Sequence, residues 1–228
     1  MKHILYLPFL TLLFTGCVGT KKYSGFVNEK TIVSADSTQT PDWLTVNFPA
    51  SAVSGNKFEQ VKKHFIPAVV YWGWNATIVC EIDPYTSGTY IRKAIYEAAD
   101  KENLNSILGD RKLVINLQQM PGKFVNENKA DVVYVLFFTV SDIRETISPV
   151  PSDLQATYGL TQNNELVASG NSTIPNAEQP MKNAWQTRKN FTGQYLYNYK
   201  KETERMGTEL VKEIIAQHKT EASSSAAE

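Results

Sequence analysis

The sequence predicts an α+β domain, an antiparallel sheet with two main helices packed chiefly on one face. Three patterns carry this expectation. Short runs such as Leu44 to Phe48 and Leu113 to Gln118 alternate apolar and polar residues with the period of a half-buried strand. Ile91, Ala94, Ile95 and Ala98 recur at the spacing of one helical face. Phe191, Tyr195, Tyr199, Met206, Leu210 and Ile214 trace a second, much longer helical stripe. Runs of strands with helices set between and after them form an α+β layer architecture rather than a parallel βα alternation.

The first stretch, MKHILYLPFLTLLFTGC, is organised differently from the rest. Lys2 supplies a positive end, Ile4 to Phe14 an apolar run, and Thr15 and Gly16 small residues before Cys17. Spanning a bilayer as a helix takes about 20 apolar residues, so this shorter run, interrupted by Pro8, reads as a secretory signal peptide over residues 1–16. The ending Leu13-Phe14-Thr15-Gly16-Cys17 resembles the lipobox of bacterial envelope lipoproteins, with Phe14 standing where that family has a small aliphatic residue. The resemblance implies that Cys17 is acylated and becomes the first residue of the mature chain, anchored in a membrane through its acyl chains. Ordinary secretion with nearby cleavage is the alternative, and it leaves Cys17 without a role.

Residues 17–41 are rich in Gly, Thr, Ser, Lys and Asp, and are expected to be a flexible tether because they bury too little apolar surface to offset their ordering entropy. By resemblance to sorting rules of lipoproteins, Val18 after the cysteine favours the outer membrane, and Gly19-Thr20-Lys21-Lys22 lacks the acidic cluster of surface-exported Bacteroidetes lipoproteins. Both point to an outer-membrane protein facing the periplasm. Asp36-Ser37-Thr38 fits the Bacteroidetes O-glycosylation tripeptide, making Ser37 a candidate modification site.

A single domain is expected over residues 42–218. Leu44 to Phe48 is its first strand, ended by Pro49. After a polar stretch, Phe65 to Trp74 and Asn75 to Ile82 form two strands, or one strand broken at Gly73-Trp74, and their density of β-branched and aromatic residues places them at the centre of the sheet. Asp83-Pro84 and Ser87-Gly88 mark a loop, with Ser87 or Thr89 capping the helix that follows and Gly109 ending it. Leu113 to Gln118 is a strand exposed on one face. Val132 to Val140, continuously apolar, is expected as a covered central strand pairing antiparallel with it. Leu154 to Leu160 and Glu165 to Thr173 form a hairpin around Thr161 to Asn164. Ser172 to Asn183 is a loop.

The last element, Thr187 to Gln217, would reach roughly 45 Å as a continuous helix. That exceeds what one sheet covers, so Gly193 and Gly207 are expected to bend or shorten it; Tyr195 to Tyr199 also fits a strand. Residues 219–228 are a disordered tail of Ser, Ala and Glu.

Composition narrows the function. Removing the signal takes one Lys from 23 basic residues and leaves 22 against 23 acidic ones, a balance that argues against nucleic acid and against purely electrostatic membrane binding. With Cys17 acylated, Cys80 stands alone in the apolar run Ile78 to Ile82 and reads as an inert core thiol. His64 and His218 are distant and no Cys or His pair has ligand spacing, so no metal and no cofactor are expected. There is no Gly-x-Ser-x-Gly elbow and no Gly-rich phosphate loop; the acids Glu81, Asp83 and Asp142 show no catalytic spacing. Tyr71, Trp72 and Trp74, together with Tyr195, Tyr197 and Tyr199, are the one grouping suited to binding, the alternative being packing between sheet and helix. Core packing is the expectation for Trp72 and less so for Trp74, because alternation turns adjacent positions to opposite faces. If exposed, Trp74 is the first binding candidate.

Taken with the lipobox, this architecture is similar to that of the lipopolysaccharide-assembly lipoprotein and of auxiliary lipoproteins of lipid-transport systems. That resemblance implies a non-enzymatic outer-membrane lipoprotein binding or scaffolding another envelope protein, lipid or glycan. The alternatives are a surface-exposed glycan- or protein-binding module and an uncharacterised hydrolase.

Overall fold

The computed structural model describes residues 20–33, 40–49, 55–68, 70–135 and 138–225. The expected signal peptide, Cys17 and Ser37 lie outside them. The described chain is mixed α+β, but its strands form two sheets, not one. The elements are α1 (Thr20–Thr31), β1 (Leu44–Asn47), β2 (Lys57–Pro67), β3 (Tyr71–Glu81), α2 (Pro84–Lys101), α3 (Leu104–Leu108), β4 (Lys112–Gln119), β5 (Lys123–Val135), β6 (Phe138–Pro149), β7 (Leu154–Gln162), β8 (Glu165–Ile174), β9 (Met181–Asn183) and α4 (Arg188–Ser225).

A four-stranded sheet runs β1-β4-β7-β8, and a five-stranded sheet runs β2-β3-β5-β6-β9. All pairings are antiparallel except β1 with β4, which is parallel, with Leu44 opposite Leu113. A parallel neighbour needs a crossover, and the whole of β2, β3, α2 and α3 supplies it. The expected pairing between β4 and an apolar strand at Val132 to Val140 is therefore corrected. The chain changes sheets at Met120–Gly122, β4 pairs with β7, and the apolar run is split between the ends of two paired strands, β5 and β6. An apolar run of nine residues is as compatible with two half-strands as with one whole strand.

Each sheet has its own core, and α4 serves both. Leu113, Ile115, Leu117, Leu154, Ala156 and Leu160 of the four-stranded sheet pack on Ile91 and Ile95 of α2 and on Met206, Leu210 and Ile214 of α4. Ile78, Cys80, Phe124 and Ile147 of the five-stranded sheet pack on Phe191, Tyr195 and Tyr199 of the same helix and on Tyr23 and Val27 of α1. At ~1.5 Å per residue α4 measures roughly 57 Å, a length explained by the two surfaces it covers in succession. Gly193 and Gly207 lie inside an unbroken helix, and Tyr195 to Tyr199 is helical. Gly207 is there for proximity: a β-carbon would come within 2.8 Å of the Ile91 carbonyl oxygen of α2.

Several boundaries differ from expectation, among them the loop expected at 172–183, which holds the end of β8 and the whole of β9. Residues 20–31 are a helix with Tyr23 and Val27 fully buried, so the tether is corrected over that span. The flanking polar composition concealed a two-residue apolar pair at i and i+4, enough to dock one helical face. Helix α4 continues through Ser225 into the expected tail, since Ala, Glu and Lys are strong helix formers once a helix is nucleated. Helix α2 begins at Pro84, with Asp83 as N-cap accepting from the Tyr85 backbone at 3.0 Å, whereas the loop had been expected to run on to Ser87. Proline in the first helical turn loses no hydrogen bond. The β7–β8 hairpin closes on Asn163 and Asn164, with φ of 51° and 67°, the conformation asparagine tolerates best after glycine.

Candidate functional site

The distal halves of β2, β3, β5 and β6 extend beyond the helices as a four-stranded arm. The register defines its faces. Cys80, Ile78 and Ala76 of β3 point into the core, and with a period of two Trp74 and Trp72 continue that same face past the end of the packed region. In β2 a bulge between Gln60 and Lys62 shifts the parity, so Phe65 lies opposite Trp74 and shares its face. Ala130 and Ile143 complete that row; Trp72, Val132 and Ser141 form the next; Tyr134 and Thr139 the one after. The Phe65 and Trp72 rings meet edge to face with centroids 6.0 Å apart. Phe65 is 48% and Ile143 66% exposed, and both tryptophans are half-buried.

The opposite face of the arm carries its paired charges, together with Ile66, Val133 and Val140. Tyr71, one residue from Trp72, donates from its hydroxyl to Asp131 Oδ1 at 2.8 Å, and Lys129 Nζ lies 2.9 Å from Asp131 Oδ2. The Lys129 hydrogen bond first, and that of Tyr71 second, hold the Asp131 carboxyl below its ordinary range. Gly73 is what lets the Tyr71 ring reach Asp131: a β-carbon there would fall 2.6 Å from the phenol oxygen. Asp142 and Arg144 pair beside them at 2.7 Å. Thus the three sequence candidates divide, Trp72 and Trp74 on the apolar face and Tyr71 on the opposite one. Gly73-Trp74 is interior to β3; β2 ends at Pro67 and β3 begins at Tyr71.

At the arm's root the apolar rows meet a buried polar cluster. The Glu145 carboxylate accepts from Arg188 Nε at 2.8 Å, from Asn183 Nδ2 at 2.9 Å and from Asn126 Nδ2 at 3.3 Å. Asn126 is fully buried, and the Arg188 guanidinium lies over the Tyr23 ring. This cluster ties β5, β6, β9, α1 and the start of α4 together. Two residues past Asn183 stands Trp185, 97% exposed, in the gap between the expected loop at 172–183 and the expected helix from Thr187.

Comparison with family models, with curated proteins and with solved structures found no match. The arrangement of side chains alone therefore carries the functional argument. Glu81 pairs with Lys57, Asp83 caps α2, and Asp142 pairs with Arg144 eight residues further along the sheet from the Glu81 row, about 27 Å at ~3.4 Å per residue. These acids do not converge. His64 lies on the arm, and His218 sits 3.3 Å from Arg111 near the other end of α4. A cleft of about 310 Å³ opens between the sheets beside Ile82, Pro84, Ser87, Met120 and Lys123. Its one hydroxyl of interest is engaged: Tyr199 donates to the Pro121 carbonyl at 3.0 Å, so its oxygen accepts the Ser87 hydrogen at 2.5 Å. Burial pushes the Tyr199 phenol far up, so it does not serve as a base for Ser87. Cys80, buried with its thiol pushed up to about 12, is equally unreactive. Among the described residues, the exposed aromatic face of the arm is the feature whose chemistry is left unused by the fold.

Proposed function

We propose that the protein is a non-enzymatic, acyl-anchored lipoprotein of the outer membrane that binds another component of the cell envelope through the apolar face of its arm. The observation that carries this reading is the row structure of that face. Phe65, Trp74, Trp72, Val132, Tyr134 and Ile143 stand together on one side of the sheet, while the other side carries the pairs Lys129–Asp131 and Asp142–Arg144. Contiguous exposed apolar area rimmed by polar groups marks an interaction surface, and aromatic residues dominate the energetics of such surfaces. The lipobox-like ending at Cys17 supports the location, and acylation by more than one chain gives a stable anchor.

The two contributions separate experimentally. With Cys17→Ala removing the anchor, the intact arm is expected to keep a measurable share of the protein in the washed envelope fraction. Adding Phe65→Ser, Trp72→Ser and Trp74→Ser releases that share to the soluble fraction. Complete release by Cys17→Ala alone overturns the docking role of the arm, and unchanged partition of Cys17→Ala relative to the parent overturns the anchor.

A further inference from the structure

We infer that the arm also joins copies of this chain to one another, the outer edge of β2 in one copy pairing with the distal edge of β6 in the next. This rests on the proposed role of the arm as the interaction element, and it commits that element's edges, not its face, to a second copy. Among the described residues, β2 has a strand on one side alone, and β9 covers β6 at Glu145–Ile147 and no further. Both edges of the arm therefore present unpaired backbone donors and acceptors. The Thr139–Arg144 edge has no bulge and no proline, and Val140 on it is 62% exposed; its two charges, Asp142 and Arg144, pair with each other, whereas β2 carries Lys62, Lys63 and a bulge between Gln60 and Lys62 that guard it against a like edge.

Three features make β2 its counterpart. Four alternating antiparallel strands leave β2 and β6 running in opposite directions, so edge-to-edge contact between copies continues the antiparallel pattern. Charge disfavours the like pairing: β2 with β2 would set Lys62 and Lys63 against themselves, whereas β6 brings Asp142, paired within its own strand with Arg144, to Lys62. A register with Asp142 opposite Lys62 also places Val140 opposite His64, all on the face of the paired charges, and Thr139 opposite Phe65 on the apolar one. Both faces then run unbroken from copy to copy. Such a contact uses different patches on the two partners and builds rings or filaments.

The test uses the full chain in mild detergent with His64→Cys and Val140→Cys introduced together. Oxidation is expected to give a ladder of linked species on a non-reducing gel. Each single variant should give no more than the parent, and a mixture of the two singles should give dimers. Light scattering of the parent should report more than one chain per particle. Because neighbouring residues direct their N–H groups to opposite sides of a strand, one of Val140→Pro and Ser141→Pro removes an outward donor. That variant should weaken association at least tenfold while the circular dichroism spectrum stays that of the parent. A monomeric parent with no ladder overturns the inference, as does cross-linking by Val140→Cys alone, which would report two-fold β6–β6 pairing. Either result, if Phe65→Ser, Trp72→Ser and Trp74→Ser still release the Cys17→Ala protein from the envelope, leaves the docking role of the arm standing. Assembly with no such release would reverse that outcome.

Discussion

Replacing Glu145 by Ala removes the carboxylate on which the root of the arm is built. Glu145 and Arg188 are 7% and 12% exposed and 2.8 Å apart, so water screens the pair little. The carboxylate also takes hydrogen bonds from Asn126 and Asn183. Breaking a buried pair from one side costs about 3–5 kcal/mol, because the remaining charge stays out of water. A domain of this kind has roughly 5–15 kcal/mol in total, so the loss is a large fraction of stability. The assay is urea unfolding followed by circular dichroism, with the expected effect a fall in midpoint at unchanged slope. Replacing both partners, Glu145→Met with Arg188→Met, should recover most of the loss, since a packed apolar pair of similar volume is often no worse than the ion pair. A cost below about 1 kcal/mol for Glu145→Ala, or a double variant no better than the single, would refute the assignment of the cluster as the arm's fastening.

Other perturbations probe the rest of the molecule. Tyr23→Ala should cost about 3–5 kcal/mol by emptying a fully buried site, whereas a solvated tether would lose nothing measurable in the same melt. Gly207→Ala should lower stability by about 1–3 kcal/mol by forcing α4 off Ile91, overcoming the gain in helix propensity; Gly193→Ala, whose β-carbon meets Phe26 at an ordinary 3.8 Å, should raise the melting temperature. Burial raises the Cys80 thiol to about 12 and lifts the Tyr23, Tyr195 and Tyr199 phenols. The unfolded chain therefore loses these protons first, and stability should fall as pH rises above about 9, by up to about 1.4 kcal/mol per pH unit for each acid titrating. Cys80 should also resist alkylation at pH 8 until denaturant is added.

The sequence disclosed elements better than their partnerships. The stripe on α4 was legible because six large residues repeat at i and i+4, and all six are buried. The alternation of β4 and the Asn163–Asn164 turn were legible for the same local reason. Sheet membership was not, because Leu113 and Phe124 look alike as apolar strand residues although they enter different cores. Strand β2 was hidden by Lys57, Glu59, Lys62 and Lys63, charges that an edge strand tolerates and a central one does not. In the arm, the composition at Tyr71 to Trp74 singles out the strand that carries the aromatic rows. The faces could not be assigned without knowing which end of β3 enters the core, and Phe65 was masked by a bulge that reverses the parity of its strand. Trp185 carried no periodic signal at all.

The placement of Phe191, Tyr195 and Tyr199 in one core and Met206, Leu210 and Ile214 in the other makes α4 a mechanical spine. Loosening either sheet strips half of a helix whose remaining turns depend on continuity for their own stability. Heat should therefore melt the two cores in a single calorimetric transition, with equal calorimetric and van't Hoff enthalpies. Force applied to the arm at the N-terminal end of α4 would likewise be transmitted along its axis to the four-stranded sheet, so that an event at the strands of the arm is felt at the opposite end of the helix.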